Sequence, residues 1–342
     1  MTTMMKAVRL LAHGGPEALT YGDFPQPEIG PSDVLVRVLA TTVSRWDVKY
    51  RIGEVRTGGG SLFKLPMQPG RDAAGIVEAV GDQVKSFKPG NRVVGLVHPV
   101  NAVGESIYPG HNTFGGNAQF VARPESQWLP LPPSVEPAEG AAAMWSYATS
   151  RRILLERLQS RLGDTLFVVG GSGGMGSALL DLARAMGVRV LAVTRSEQKA
   201  DFLRKLGASD VVVLPRGDAV AAIRELAAPR GCDGAVDCSG DQAMMRLCID
   251  VLRRGGTFVP VASEGPPAPI PVTVADLTRL ELNIRGARAS LLDDQRAVVS
   301  LLARRQIHPA IYAVMPLSEL RLAHQRLEAG DVCGRIVLDP WR

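Results

Sequence analysis

The pattern of hydrophobic and polar positions divides the chain into two regions of different character. In the first region, short valine-rich runs follow one another, several alternate apolar with polar residues, and Pro and Gly stand between them. The runs predict strands at 6–10, 33–40, 74–80, 92–97 and 118–121. Such a series favours a mostly antiparallel, barrel-like domain.

From about Pro137 the period lengthens, and helical patterns alternate with short apolar runs. The predicted helices are 137–158, 175–186, 196–206, 217–228 and 241–254. The predicted strands are 165–170, 189–194, 210–214, 234–238 and 256–262. This alternation predicts an α/β domain with a doubly wound parallel sheet. The tail predicts a strand at 282–288, helices at 293–305 and 317–329, and a last strand at 334–338.

A glycine-rich stretch joins the first strand of this sheet to its helix. It reads Gly170-Gly171-Ser172-Gly173-Gly174-Met175-Gly176. Gly171, Gly173 and Gly176 have the G-x-G-x-x-G spacing, which serves a tight turn, the approach of a diphosphate to the backbone, and close helix-to-strand packing. The N–H groups at the start of the helix face the phosphates. Because another strand follows this helix, we expect a bound dinucleotide.

The end of the second parallel strand indicates which dinucleotide binds. An acidic residue about 20 residues beyond the glycines is typical of NAD sites, because it accepts hydrogen bonds from the ribose 2′-hydroxyl. Here the strand ends in Thr194, Arg195 and Ser196, with Lys199 one helical turn later. Two cations and two hydroxyl groups suit a 2′-phosphate, so we predict NADPH. The alternative is that Arg195 and Lys199 are only solvated surface charges.

Composition and charge narrow the classes of function. Of the 342 residues, 46% are hydrophobic and 21% charged, which predicts globular structure, and the length favours two domains. The net charge of +5 is not gathered into a run, which argues against a nucleic-acid partner. No apolar run reaches the ~18 residues of a membrane span, and no signal-peptide pattern is present, so we expect no membrane partner. Four cysteines without paired spacing favour reduced thiols in a cytoplasmic protein.

Four stretches besides the glycine turn carry a family pattern. They are MKAVR at 5–9, GDQVKSFKPGNRV at 81–93, FGGNAQFV at 114–121 and CGRIVL at 333–338. Together they resemble the medium-chain dehydrogenase/reductase superfamily over essentially the whole chain. The resemblance implies an active site in the cleft between two domains, and a homodimer in which the strand at 282–288 pairs across the dimer axis. The implied domains are a GroES-like substrate domain from 1–130 and 291–342, and a Rossmann NADP-binding domain from 131–290.

Zinc-dependent members of this superfamily hold the catalytic metal with a Cys, a His-Glu pair and a second Cys. The flanking residues place Ser44, Arg71 and Trp145 where the first Cys, the His and the second Cys would stand. These side chains cannot replace thiolate and imidazole around Zn²⁺, so we expect no catalytic metal. His98 and His111 flank an extended loop without cysteine or carboxylate partners, and we interpret them as ordinary loop residues.

Without a Lewis acid, conjugate reduction is easier than reduction of an isolated carbonyl. Hydride adds to the β-carbon of an activated C=C, the charge delocalises into an enolate, and hydrogen bonds with a proton donor suffice. The quinone oxidoreductase and enoyl reductase branch of the superfamily resembles this case. We predict an NADPH-dependent reductase of enones, enoyl thioesters or quinones, acting on a small molecule. Two alternatives stay open: a carbonyl reductase that uses Arg71 in place of zinc, and a non-catalytic NADPH-binding protein.

Candidate chemical residues follow from the replaced metal positions. Arg71 would bind a substrate carboxylate or stabilise an enolate, unless it only forms a salt bridge with Asp72 or Asp47. Tyr50 would donate a proton to the enolate carbon; it lies one residue from the position of the tyrosine in quinone reductases. Ser44 would hydrogen-bond the nicotinamide or the substrate. Trp46 and Trp145 would form apolar walls of the substrate site; the alternative, in particular for Trp46, is that they are core residues.

Further candidate cofactor contacts lie at strand ends and on the linking helix. Thr149 matches the superfamily's threonine near the nicotinamide. Ser239 and Gly240 follow the fourth Rossmann strand, and Val261 and Ala262 follow the fifth. Ligands of open α/β sheets bind at the carboxyl ends of strands, so we expect backbone contacts there.

Overall fold

The computed structural model describes residues 3–55, 64–99, 109, 113–214, 219–227, 230–262 and 269–342. In chain order the strands are β1 (Met4–Leu10), β2 (Leu19–Pro25), β3 (Asp33–Val43), β4 (Ala73–Val80), β5 (Arg92–Gly95), β6 (Phe120–Pro124), β7 (Trp128–Pro130), β8 (Thr165–Val169), β9 (Arg189–Thr194), β10 (Asp210–Val213), β11 (Cys232–Asp237), β12 (Leu252–Pro260), β13 (Asn283–Ile284), β14 (Ile311–Pro316) and β15 (Arg335–Asp339). The helices are α1 (Arg45–Ile52), α2 (Pro137–Arg152), α3 (Gly174–Ala185), α4 (Glu197–Leu206), α5 (Ala219–Leu226), α6 (Gln242–Asp250), α7 (Val274–Leu280), α8 (Leu292–Ala303) and α9 (Leu320–Ala329). A π-helical turn, Ile153–Arg157, follows α2.

The chain divides into two compact units. Unit 1 is Met1–Trp145, Leu291–Arg305 and Ile311–Arg342, and unit 2 is Ser146–Ser290 and Gln306–Ala310. The first change of unit comes at residue 146, whereas the family resemblance implies a domain change at 131. The first turns of α2 belong to unit 1 because they pack there: a Cβ on Gly140 would lie 3.1 Å from the side chain of Leu131 and 3.8 Å from that of Ala74.

Unit 2 is built on a parallel sheet. Its described strands have the order β10-β9-β8-β11-β12-β13, and every neighbouring pair is parallel. Because β9 lies on one side of β8 and β11 on the other, the carboxyl ends of β8 and β11 flank the switch point at which open α/β sheets bind ligands. Phe167 and Phe258 are fully buried in the core of this unit. The doubly wound sheet is confirmed.

The predicted strand at 282–288 is shorter in the structure. Of residues 282–288, only Asn283–Ile284 (β13) pair with β12, and the Arg285 N–H makes one further bond, of 3.0 Å, to the Phe258 carbonyl oxygen. As an edge strand of the described sheet, β13 has a neighbour on one side only, and the chain has left the strand by Gly286.

Unit 1 is mostly antiparallel, as predicted. Its described strands form a sheet of order β14-β15-β3-β4-β5-β7, with β6 also paired to β3, and a separate hairpin of β1 and β2. Of these pairs, β14 with β15 is parallel. Strand β3 pairs with β15, β4 and β6, so both ends of the chain contribute to this sheet. The strand expected at 118–121 begins at Phe120, because Ala118 instead bridges to Ala7.

Several elements have no counterpart among the sequence predictions. They are β2, β7, β14, α1 and α7. Helix α1 carries few apolar residues, and only Val48 and Tyr50 of them are buried. Within the described residues, no helix combines the length and the apolar character needed to cross a membrane.

Candidate functional site

Helix α1 of unit 1 begins at a capping interaction between Ser44 and Asp47. The Ser44 N–H and the Ser44 Oγ–H both donate to Asp47 Oδ2, at 2.8 Å and 2.7 Å. Asp47 is buried, and no described group hydrogen-bonds its Oδ1. Burial raises the pKa of the Asp47 carboxyl, and the charge of Arg71 with the hydrogen bonds from Ser44 opposes that change. Ser44, a candidate contact to substrate, is therefore held by a buried acid.

Arg71 lies against aromatic rings. Its guanidinium carbon is 3.5 Å from the ring centre of Trp145 and 6.0 Å from that of Trp46. The ring of His98 packs against Trp145 as well, and their ring centres are 4.3 Å apart. Burial lowers the pKa of Arg71, whereas Asp47, Tyr50 and Asp72 raise it. A planar cation is thus placed over an indole face, the geometry of a strong cation–π contact.

Asp72 makes an ion pair with a residue from the end of the chain. Its Oδ2 lies 2.5 Å from Arg335 Nη2 and accepts the hydroxyl of Thr42 at 2.5 Å. Asp72 and Arg335 are both buried. Of the two acids proposed as partners of Arg71, Asp47 exerts the larger attraction on it, and Asp72 is engaged by Arg335. The sequence patterns identified Asp47 only as an alternative salt-bridge partner of Arg71, and they assigned no role to Arg335, although Arg335 lies in the family-like stretch 333–338.

Tyr50 lies inside unit 1 beside this group. Its side chain is 5% exposed and packs in a core that includes Val8 and Leu10. The Tyr50 ring centre is 5.9 Å from that of Trp46. The neighbouring Lys49 forms an ion pair of 3.0 Å with Glu54.

The side chains at the three metal-ligand positions do not fit zinc. A serine that is hydrogen-bonded to Asp47, an arginine and an indole offer no thiolate or imidazole, and a guanidinium repels a cation. Across the described ranges, no three His, Cys, Asp or Glu side chains are grouped as metal ligands would be. His111 and most of the loop between His98 and His111 lie outside the described residues.

In unit 2, the glycines of the turn have different reasons for lacking a side chain. A Cβ on Gly176 would lie 2.3 Å from the Gly170 carbonyl oxygen and 2.5 Å from Gly171 Cα, so helix-to-strand packing excludes it. A Cβ on Gly171 would meet Leu203 at 2.9 Å. A Cβ on Gly173 would meet only the Gly170 oxygen, at an ordinary 3.6 Å. Packing therefore does not require glycine at 173, which fits the close approach of a diphosphate.

The start of α3 also fits an anion. Gly173 is its N-cap, so no side chain in the described structure caps the helix. The Gly173 N–H is bonded to the Gly170 carbonyl oxygen at 3.2 Å, so the backbone N–H groups that face an anion at the positive end of the helix dipole are those of the first helical residues, from Gly174 on. Thr149 on α2 is 4% exposed, and its Oγ1 has no described hydrogen-bond partner. A buried hydroxyl without a partner is costly, so it favours a ligand at this threonine.

Local hydrogen bonds join several of the residues predicted to bind a phosphate at the end of β9. Ser196 is the N-cap of α4 and accepts the Lys199 N–H at 3.4 Å, and Thr194 Oγ1 accepts the Ser196 N–H at 3.2 Å. The Arg195 side chain is 71% exposed and lies 3.4 Å from Asp241. Asp241 is an acid that the sequence reasoning missed, because it is distant from β9 along the chain.

Asp237 organises the carboxyl ends of β11 and β12. Its buried carboxylate accepts the Ser239 N–H and hydroxyl, at 3.0 Å and 2.6 Å, and the Gly240 N–H at 2.9 Å. Its carbonyl oxygen accepts the N–H groups of Val261 and Ala262 at 2.9 Å and 3.3 Å. The four predicted contacts are thus gathered around one residue. An acid at the end of an apolar strand, two residues before Ser-Gly, is the signal that would have found it.

Comparisons with known proteins cover both units. The alcohol dehydrogenase GroES-like domain family matches residues 30–133, and the zinc-binding dehydrogenase family matches 174–304. The chain is 28% identical to an alcohol dehydrogenase of Geobacillus stearothermophilus, over 94% of this chain and 96% of the relative. It is 27% identical to a quinone oxidoreductase of Rattus norvegicus, over 98% of both. The crystal structure of an NAD-dependent alcohol dehydrogenase matches with a TM-score of 0.90 at 29% identity, over 98% of this chain and 99% of that one.

Proposed function

We propose that this chain, which belongs to the medium-chain dehydrogenase/reductase superfamily, is an NADPH-dependent reductase of activated C=C bonds or quinones that works without zinc. The observation that carries the proposal is the stack of Arg71 on Trp145. Both residues stand at positions where zinc-dependent members have metal ligands. The relatives are named as oxidoreductases of two kinds, and the stack favours the kind that needs no Lewis acid.

The cofactor would be held by unit 2 and would supply a hydride. The Gly173 backbone and the start of α3 receive the diphosphate, and Thr149, Ser239, Gly240, Val261 and Ala262 are the proposed contacts along the rest of the dinucleotide. Arg195, with Lys199 and the hydroxyls of Thr194 and Ser196, supports NADPH over NADH, because these groups suit a phosphate.

Unit 1 would stabilise the charge that develops on the substrate. Addition of hydride at the β-carbon leaves an enolate, and the Arg71 guanidinium is a fixed cation that lowers the energy of that anion. The indole rings of Trp46 and Trp145 suit a flat conjugated substrate. Ser44, held by Asp47, offers a hydrogen bond, and we assign proton donation at the α-carbon to Tyr50.

A panel of substrates tests the proposal. Cofactor absorbance is followed while the protein is mixed with NADPH and enones, enoyl thioesters, quinones, aldehydes or ketones. We expect NADPH consumption with at least one conjugated substrate, and a kcat at least ~10-fold lower in Arg71→Gln, as removal of a charge-stabilising group predicts. Stoichiometric zinc by elemental analysis, or turnover of aldehydes alone, would contradict the proposal.

Carbonyl reduction is the second candidate, because several relatives are named alcohol dehydrogenases. In that case Arg71 would stabilise an alkoxide in place of zinc, and aldehydes would be turned over while enones would not. Silence across the whole panel, together with tight NADPH binding, would favour a binding protein instead.

We also propose a homodimer. Strand β13 is at the edge of the described sheet of unit 2, with one side of its backbone unpaired by another strand. A second copy can add its own strand there. Light scattering after size-exclusion chromatography distinguishes a dimer from a monomer.

A further inference from the structure

Two charged side chains meet beyond the carboxyl ends of β9 and β11 in unit 2. Arg195 follows β9, and Asp241 begins α6 after β11, and these two strands lie on opposite sides of β8. Arg195 Nη2 is 3.4 Å from Asp241 Oδ2. The ion pair therefore joins residues from the two sides of the switch point, at the carboxyl end of the sheet, where the glycine turn follows β8.

The two partners differ in freedom. Asp241 Oδ1 accepts the N–H groups of Ala243 and Met244, at 2.9 Å and 3.1 Å, as the N-cap of α6. The preceding Gly240 is tied to Asp237 by its own N–H. The carboxylate is thus fixed, whereas the longer Arg195 side chain is 71% exposed. Asp241 stays where it is when Arg195 takes another partner.

We propose that Asp241 is a specificity-determining residue. It weakens the binding of a 2′-phosphate by Arg195 and so lowers the ratio of the affinity for NADPH to the affinity for NADH. The inference rests on the NADPH site proposed above. A phosphate on Arg195 competes with Asp241 for the guanidinium and is repelled by the fixed carboxylate. NADH lacks the 2′-phosphate, and the diphosphate that both cofactors share is assigned to the glycine turn, so the affinity for NADH does not depend on breaking the ion pair.

The substitution Asp241→Asn tests the role, because asparagine still caps a helix while it removes the charge. The dissociation constants of NADPH and NADH are measured by titration calorimetry, without turnover. We expect NADPH to bind about three- to tenfold more tightly, the size of an exposed ion pair plus one repulsion, and NADH to bind as before. Adenosine 2′,5′-bisphosphate is expected to gain the same factor, and AMP none.

Asp201→Asn is the matched control. Asp201 is an exposed acid on α4 that forms an ion pair of 2.8 Å with Arg204, so its loss changes the net charge equally without touching Arg195. The NADPH to NADH ratio of this variant is expected to equal that of the wild type. In an Arg195→Gln background, Asp241→Asn is expected to have a much smaller effect on the ratio.

The outcomes separate this inference from the proposed function. A protein that prefers NADH, with a ratio unchanged by Arg195→Gln, refutes the NADPH site and the role of Asp241 together. A protein that prefers NADPH but shows the same ratio in Asp241→Asn as in the wild type refutes the role of Asp241 alone. An equal change for both cofactors also refutes it, because it indicates a structural effect.

Discussion

Alanine substitutions at Gly173 and Gly176 should affect different properties of the protein: cofactor affinity at Gly173 and stability at Gly176. The backbone at Gly173 is extended, with φ −77°, and at Gly176 it is helical, so neither position needs glycine for its dihedral angles. Only the surroundings differ. The added Cβ meets backbone atoms at 2.3 Å and 2.5 Å at position 176, and one oxygen at 3.6 Å at position 173.

The magnitudes follow from these distances. At 176 the clashing atoms belong to the backbone of Gly170 and Gly171, which cannot rotate away, so overpacking costs about 1–3 kcal/mol or more. The better helix propensity of alanine returns at most about 1 kcal/mol. At 173 the loss of a glycine N-cap costs about 1 kcal/mol or less. There the Cβ instead occupies the approach of the diphosphate, and we expect at least ~10-fold weaker binding of NADPH.

Urea unfolding and calorimetry with NADPH measure the two effects separately. Gly176→Ala should lower the free energy of unfolding more than Gly173→Ala does. Gly173→Ala should remain folded and lose affinity for NADPH. If Gly173→Ala bound NADPH as the wild type does, the assignment of this turn to the diphosphate would be refuted. Wild-type stability in Gly176→Ala would refute the steric argument.

Three further predictions concern unit 1. Arg123 is buried, its guanidinium has no hydrogen-bond partner among the described residues, and burial lowers its pKa to about 10. Because a buried charge of this kind is costly, Arg123→Met should raise the free energy of unfolding by about 1–4 kcal/mol in urea titrations. Burial and the charge of Arg51 lower the pKa of His324 to about 3, so between pH 6.5 and pH 3 the folded state binds fewer protons than the unfolded state. The free energy of unfolding should therefore fall as the pH is lowered from 6.5 towards 3, by at most about 1.4 kcal/mol per pH unit. His324→Gln should remove this part of the pH dependence. Arg71→Lys keeps the charge but loses the planar stack, so it should retain more kcat than Arg71→Gln in the NADPH assay; equal losses would contradict a role for the charge.

Local patterns determined most of the architecture. The alternation of helix and strand periods in residues 137–262 is a property of neighbours in the chain. The structure contains each helix and strand predicted there, with ends that differ by a few residues. Residues 215–218 and 228–229 are not described. The glycine turn was recognisable for the same reason, since a turn, a cradle and a close contact need glycines at fixed spacing. Edges were less predictable, and the strand at 282–288 shrank because sheet pairing, not propensity, decides how far an edge strand extends.

The sequence by itself determined the fold class, the superfamily, the glycine turn, and the identity of the side chains at the former metal positions. Only the tertiary structure decided which partner each charge meets: Asp72 with Arg335, 263 residues away, and Arg195 with Asp241, 46 residues away. It also placed Arg71 on the face of Trp145. The sequence shows the sign of each charged side chain. Its ion-pair partner depends on distance and burial, which are defined only after the chain has folded.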